Sequence, residues 1–255
     1  MSHPAFRASV AIVAALLCTL VAGQANAAEP VPDGGSLMGI SCDWGRDSTD
    51  LAVTQLDAGT AEANSIGFTD EPFEYFCAYS SNWDRVVASC TAYTVAREPD
   101  DARALVRTDL ATGESTFVGR FLDGQHDLKM SSVVVDLNGS AWGLARNQLF
   151  SVNLSDATHA LLTTFASGWM MGLTLDPADG LLYAHDDTTI YRIDPLTLTI
   201  ASVGVVPVES AGALGQFVGM AIDSSGAFWF SQPENVDADP GDWTYALWRA
   251  SASLT

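Results

Sequence analysis

The sequence predicts an all-β propeller of about five four-stranded blades, alternatively six, preceded by a leader. Three observations carry this reading. First, SSVVVDLNGSAWGL (131–144), GLTLDPADGLLYAH (172–185) and GMAIDSSGAFWFS (219–231) share one pattern: an apolar run, Asp, a short Gly-containing turn, then apolar and aromatic residues. Their aspartates, Asp136, Asp176 and Asp223, lie 40 and 47 residues apart, the spacing of propeller blades. Second, each is followed by another strand-like pattern ending in turn-forming Asp or Asn, as in QLFSVNLSDA (148–157), TIYRIDPLTL (189–198) and ALWRASASL (246–254). Earlier relatives are LAVTQLDAGT (51–60) and LVRTDLATGE (105–114). Third, helical periodicity is almost absent, whereas short alternating runs between turn residues recur throughout.

Taken in order, residues 1–27 read as a secretory signal peptide: Arg7 is the positive n-region, Val10 to Ala22 the apolar h-region, and Ala25-Asn26-Ala27 the cleavage site. A membrane anchor, the alternative, needs roughly 20 apolar residues, and this run is shorter. Leu17 before Cys18 disfavours lipidation. Residues 28–255 then form one domain, placed outside the cytoplasm, secreted or periplasmic. DGGSLMGIS (33–41) resembles NGSAWGLA (138–145), so the mature chain begins at the second strand of a blade. By the same count the last blade stops after its third strand. Closure is then irregular, the count is wrong, or the chain is truncated.

Without Cys18 three cysteines remain, Cys42, Cys77 and Cys90, an odd number for an oxidising compartment. Cys77 and Cys90 lie symmetrically about Trp83-Asp84, so a two-residue hairpin there sets them opposite each other, where a bridge can form. Such a bridge stabilises by about 3 kcal/mol. The alternative is three buried thiols acting as small apolar groups.

Strand parity separates two ends of the molecule. Turns from first to second and third to fourth strands share one end and are tight; the remaining connections share the other and include TVAREPDDAR (94–103), DGQHDLK (123–129), VPVESAGALGQ (206–216) and QPENVDADPGDWT (232–244). Long loops on a rigid scaffold carry binding, so this loop end is the expected functional face, with Glu98, Asp100, Asp101, His126, Asp127 and Trp243 as binding candidates. Asn235, Asp237, Asp239 and Asp242 present alternating oxygens suited to a hard cation such as Ca²⁺, although Pro240 stands where a calcium loop wants Gly. A solvated acidic loop is the alternative. His126-Asp127 and His185 with Asp186 and Asp187 are weaker acid–base or metal pairs. Trp142, Tyr183 and Trp229 occupy one repeat position and are expected to pack between blades.

The Asp-x-x-Gly turns and the Leu-Tyr-Arg-Ile-Asp type of strand make the chain resemble a broad group of secreted propellers, over most of residues 33–255. This group includes the SMP-30/gluconolactonase-like, strictosidine-synthase-like and virginiamycin-lyase-like families. Those residues specify blades, not chemistry. Because several members of the group hold a metal in the central channel with acidic and Asn ligands, the resemblance implies a calcium-dependent lactonase-like hydrolase or lyase as an alternative function.

Charge narrows the partners. The formal charge is −20, and −21 once Arg7 leaves with a leader that contains no Asp or Glu. Such a surface repels phosphate backbones and anionic lipid, which excludes nucleic acid and leaves a protein, glycan, cation or small molecule. No later segment spans a bilayer. The sequence has no Gly-x-Ser-x-Gly elbow, His-Glu-x-x-His, phosphate-cradling glycine loop or Cys-x-x-Cys pair. The reading is therefore a monomeric, non-enzymatic binding propeller with no assigned catalytic residue; a structural cell-surface module fits the acidity equally well.

Overall fold

Strand after strand pairs with its predecessor in the computed structural model, which describes residues 9–13, 36–42, 52–57, 63–68, 77–83, 91–98, 100, 102–109, 112, 114–136, 138–176, 178–186, 188–205, 219–223, 226–235 and 243–250. The first sheet has the order β1 (Ser9–Val13), β2 (Ser36–Cys42), β3 (Ala52–Asp57), β4 (Ala63–Phe68). The second has β5 (Cys77–Trp83), β6 (Thr91–Arg97), β7 (Arg103–Asp109), β8 (Ser115–Arg120), and a small hairpin follows, β9 (Leu122–Asp123) with β10 (His126–Asp127). The third sheet is β11 (Ser132–Val135), β12 (Ala141–Ala145), β13 (Gln148–Val152), β14 (His159–Thr164). The fourth is β15 (Met171–Leu175), β16 (Leu182–His185), β17 (Thr189–Asp194), β18 (Thr199–Val205). The fifth has three described strands, β19 (Gly219–Ile222), β20 (Phe228–Asn235) and β21 (Trp243–Ala250). All pairings are antiparallel, and no helix occurs among the described residues.

The repeat is built by its aspartates. Asp136 Oδ1 accepts the backbone N–H groups of Asn138 (2.8 Å) and Ser140 (2.9 Å), while Oδ2 accepts Trp142 Nε1–H at 3.2 Å. Asp223 does the same for Ala227 N–H (3.0 Å) and Trp229 Nε1–H (2.8 Å). In the fourth sheet the work is divided, Asp176 taking Ala178 N–H at 2.8 Å and Asp179 taking the Tyr183 hydroxyl at 3.1 Å. The turn glycines Gly139, Gly180 and Gly226 have φ of 83°, 71° and 78°, a region where a Cβ is strained. The aromatic of each repeat thus packs and also ties its strand to the preceding turn.

A second recurring device lies near the Val-Gly pairs of fourth strands, as in Thr-Phe-Val-Gly-Arg and Ala-Ser-Val-Gly-Val. Between third and fourth strands one residue is skipped in each ladder: Ile66 in the first sheet, Val118 in the second, Leu162 in the third and Val203 in the fourth. Such a bulge leaves one residue unpaired and increases local twist. The skipped Val118, Leu162 and Val203 are partly buried against the cores.

Those cores lie between successive sheets. Tyr93, Leu105, Phe121, Met130, Val133 and Phe150 join the second and third sheets; Val134, Leu144, Leu173, Leu182 and Ile193 join the third and fourth; Tyr183, Ile190, Met220 and Phe230 join the fourth and fifth. The first strands approach one another in a circuit, β1 to β5, β5 to β11, β11 to β15, β15 to β19, and β19 back to β1.

Three expectations are modified. The first sheet does not begin at its second strand: Ser9–Val13, inside the stretch read as a leader, pairs with β2 from Ser9↔Cys42 to Val13↔Met38. The hairpin expected at Trp83-Asp84 is shifted, because Trp83 pairs with Ala92 and Cys77 with Arg97. Ala92 is five strand residues from Arg97, the ladder partner of Cys77, about 17 Å at the usual rise; Cys90 lies outside the described residues, and the expected Cys77–Cys90 bridge with it. Finally, strands consume much of the expected loops, since β6 runs to Arg97, β7 starts at Arg103, and β20 pairs with β21 as far as Asn235↔Trp243.

Candidate functional site

At the loop end, the connection 98–102 closes on itself. Glu98 N–H donates to the Ala102 carbonyl at 3.0 Å, and Ala102 N–H donates to Asp100 Oδ1 at 3.2 Å. This turn brings two carboxylates over the end of β8, where Arg120 donates to Glu98 Oε2 and pairs with Asp100 Oδ2 at 3.2 Å. The β9–β10 hairpin adds Asp127. Arg120 is held protonated beyond its ordinary range, first by the hydrogen bond to Glu98 and then by the charges of Glu98, Asp100 and Asp127, against the opposing effect of burial. Glu98 is only 7% exposed, and its Oε1 is buried with no donor among the described residues. The result is two carboxylates paired with one guanidinium, with the charge of Asp127 acting on it as well.

Two sequence candidates, Glu98 and Asp100, thus meet at a residue that sequence reading missed, and a third, Asp127, adds its charge. Arg120 closes the Thr-Phe-Val-Gly-Arg strand, and an arginine at a strand end beside an acidic loop was the available signal. His126 does not join, because successive strand residues face opposite ways: it is exposed whereas Asp127 is half-buried. Asp101 lies outside the described residues, as do Asp237, Asp239 and Asp242; Asn235 and Trp243 are placed as paired strand ends. Among the described residues no group of three or more His, Cys, Asp or Glu side chains is arranged to hold a metal. A second missed feature at this end is Trp169, 54% exposed, with the Arg146 guanidinium 5.4 Å from its ring centre.

His185 separates from its sequence neighbour. The ring is 1% exposed, and Nδ1 lies 2.9 Å from the Asp186 carbonyl oxygen, a group that only accepts, so Nδ1 carries the proton in that contact. Nε2 faces Gly172, whose φ is +64° and where a Cβ would stand 2.6 Å from that nitrogen. The Asp186 carboxylate instead takes the N–H groups of Thr188 and Thr189 and the hydroxyl of Tyr191. Burial pushes its pKa up, but these bonds outweigh it and the net shift is downward. Asp187 is outside the described residues.

The opposite, tight-turn end carries a groove of about 840 Å³ between the second and third sheets, walled by Tyr93, Arg107 and Phe117 on one side and by Trp142, Asn153 and Ser155 on the other. Sequence reading assigned nothing to this end, because its turns are short.

No family model and no curated relative matches the sequence. Among solved structures the chain is similar to a candidate exo-β-1,3-galactanase of Bifidobacterium bifidum s17, at 14% identity over 88% of this chain and 86% of that one, with a TM-score of 0.59. It is also similar to TolB of Acinetobacter baumannii (10% identity, 86% and 49% coverage, TM-score 0.51) and to an oligogalacturonate lyase in complex with manganese (16% identity, 83% and 59% coverage, TM-score 0.44). The chain spans 49% of the length of TolB and 59% of that lyase. Likeness at these identities speaks to fold and not to chemistry. Successive antiparallel sheets, a circuit of first strands and the likenesses to the galactanase and TolB structures together make the chain a β-propeller.

Proposed function

We propose that the protein is a recognition propeller acting outside the cytoplasm, which binds a basic surface on a protein partner through its loop end without catalysing a reaction. The observation behind this reading is the pairing of Glu98 and Asp100 with Arg120 at the loop end, with Asp127 adding its charge, in a chain of net charge −20. An acidic rim of this kind accelerates encounter with a basic patch and sets register more than it adds affinity. The buried, unpaired Oε1 of Glu98 costs about 1–3 kcal/mol, which favours a role for this carboxylate beyond packing. The location rests on the reading of residues 1–27 as an export signal, against which stands the pairing of Ser9–Val13 with β2.

The test compares two single-charge changes at opposite ends. Immobilised protein is titrated with a decalysine peptide while salt is raised from about 0.05 to about 0.5 M. Binding should weaken with salt, and Asp100→Asn should weaken it several-fold more than Glu114→Gln, which lies in the tight turn after β7. Equal effects of the two changes would reduce the attraction to net charge and remove the site.

A second reading, a hydrolase or lyase, is favoured by His185, a buried imidazole with its Nδ1 proton engaged and Nε2 facing Gly172. The calcium-dependent form of that reading draws on Asn235, Asp237, Asp239 and Asp242, with Ca²⁺ as cofactor. Melting with Ca²⁺ or with chelator decides it, since a cation that binds only the folded state raises the midpoint.

A further inference from the structure

The groove at the tight-turn end reverses the charge of the molecule around it. The chain has 31 acidic against 11 basic residues, yet no carboxylate is among the described residues that line this groove, and Arg107 is their one charged group. Arg107 is exposed on β7, between its ladder partners Tyr93 and Thr116. It has no ion pair or hydrogen bond among the described residues, whereas Arg120 at the other end is surrounded by acids. A guanidinium left open in a concave site offers a fork of donors that matches a carboxylate.

The remaining walls define the rest of the ligand. Phe117 is 40% exposed in the outer strand of its sheet, and Trp142 stands opposite with its indole N–H held by Asp136, so its ring is fixed. Asn153 lines the groove too, its Oδ1 occupied inside its own turn by Ser155 N–H and Oγ–H, so the donor it has left to offer is the Nδ2 amide. Hydroxyls of Thr116, Ser140 and Ser151 also line it. Apolar ring surfaces interleaved with small hydroxyl and amide groups suit a ligand that alternates C–H faces with hydroxyls, and a volume of about 840 Å³ falls in the range of small-ligand sites.

We infer that this groove binds an acidic oligosaccharide, with Arg107 paired to a sugar carboxylate and Phe117 and Trp142 against the ring faces. The proposal does not rest on the loop-end reading, because the groove lining and the Glu98–Arg120–Asp100 group share no residue. Long-range repulsion from the net negative surface is screened within about 8 Å at 0.15 M salt, so the short-range pair governs affinity there.

The experiment is calorimetric titration at that salt with a glucuronate-containing trisaccharide, the same trisaccharide with its carboxyls reduced to alcohols, and a hexaglutamate peptide. The acidic trisaccharide should bind, the reduced form at least about tenfold more weakly, as expected for loss of a charge-assisted pair, and the peptide not measurably. Arg107→Gln should abolish the difference between the two sugars, Arg107→Lys should restore part of it, and Asp100→Asn at the other end should leave it unchanged. Arg107 is exposed, so these variants should melt within a few degrees of the wild type. Equal binding of both sugars, tighter binding of the peptide, an Arg107→Gln protein that still discriminates, or no binding of any probe would each overturn the proposal.

Discussion

Aspartate works as a turn cap in this chain, and much of the acidity follows from it. Asp194 accepts Leu196 and Thr197 N–H, Asp156 accepts the Thr158 N–H and hydroxyl, and Asp136 accepts three donors around its turn. Asp136→Ala removes all three acceptor contacts at a position 8% exposed. It should destabilise by about 1–3 kcal/mol, read as a lower urea midpoint at unchanged slope. Hydrogen bonds from Thr197 and Thr158 hold Asp194 and Asp156 below the usual carboxylate range, and Asp186 is lowered as well. A group whose pKa is lower folded than unfolded contributes stability above the unfolded value and loses it as pH falls through the folded one. The melting midpoint should therefore drop as pH falls below about 4. Tyr183 gives the opposite limb: burial first, then Asp179, pushes it up to about 12. Its contribution is intact below the ordinary tyrosine value of about 10 and fades as pH climbs toward about 12, which an absorbance titration at alkaline pH checks.

Elements show which parts of the architecture could be read in advance. The Asp, turn Gly and aromatic residues of 131–144, 172–185 and 219–231 were legible because each must satisfy local geometry, and local geometry leaves residue-type signatures. The bulge between third and fourth strands was not, since nothing in Thr-Phe-Val-Gly or Ala-Ser-Val-Gly says that Val skips a ladder position; that follows from how the sheet twists against its neighbour. Gly119 shows the constraint, because a Cβ there would stand 2.6 Å from the backbone oxygen of Asp156 in the next sheet. Gly119→Ala should cost about 1–3 kcal/mol and broaden amide resonances around 154–158, while Gly124→Ala, which meets no atom within 4 Å, should lose less through its strained φ alone. The register of β5 against β6 was misread for a related reason. Symmetry of Cys77 and Cys90 about Trp83-Asp84 suggested a two-residue turn, but the ladder is set by burial of Tyr93 and Val95. β1 is the remaining surprise: an apolar run fits a leader and an innermost strand equally well, because both demand uninterrupted Val, Ile and Ala.

The whole molecule places two unlike surfaces on one scaffold. Strand parity sends 98–102 and 122–127 to one end and 136–140 to the other, while β8 links the two sites, since Val118 lines the Arg107 groove and Arg120, two residues on, holds the acidic pair. The loop end was legible in outline, since Glu98, Asp100 and Asp127 were expected there, but their organiser, Arg120, and the turn-end groove arise only when sheets pack side by side. The functional reading rests on the loop end as the binding face. Hydrogen–deuterium exchange of the protein with and without the decalysine peptide tests it most directly. The account predicts slowed exchange in residues 98–102 and 120–128 and no change in 136–140; protection of 136–140, or none at either end, would contradict it.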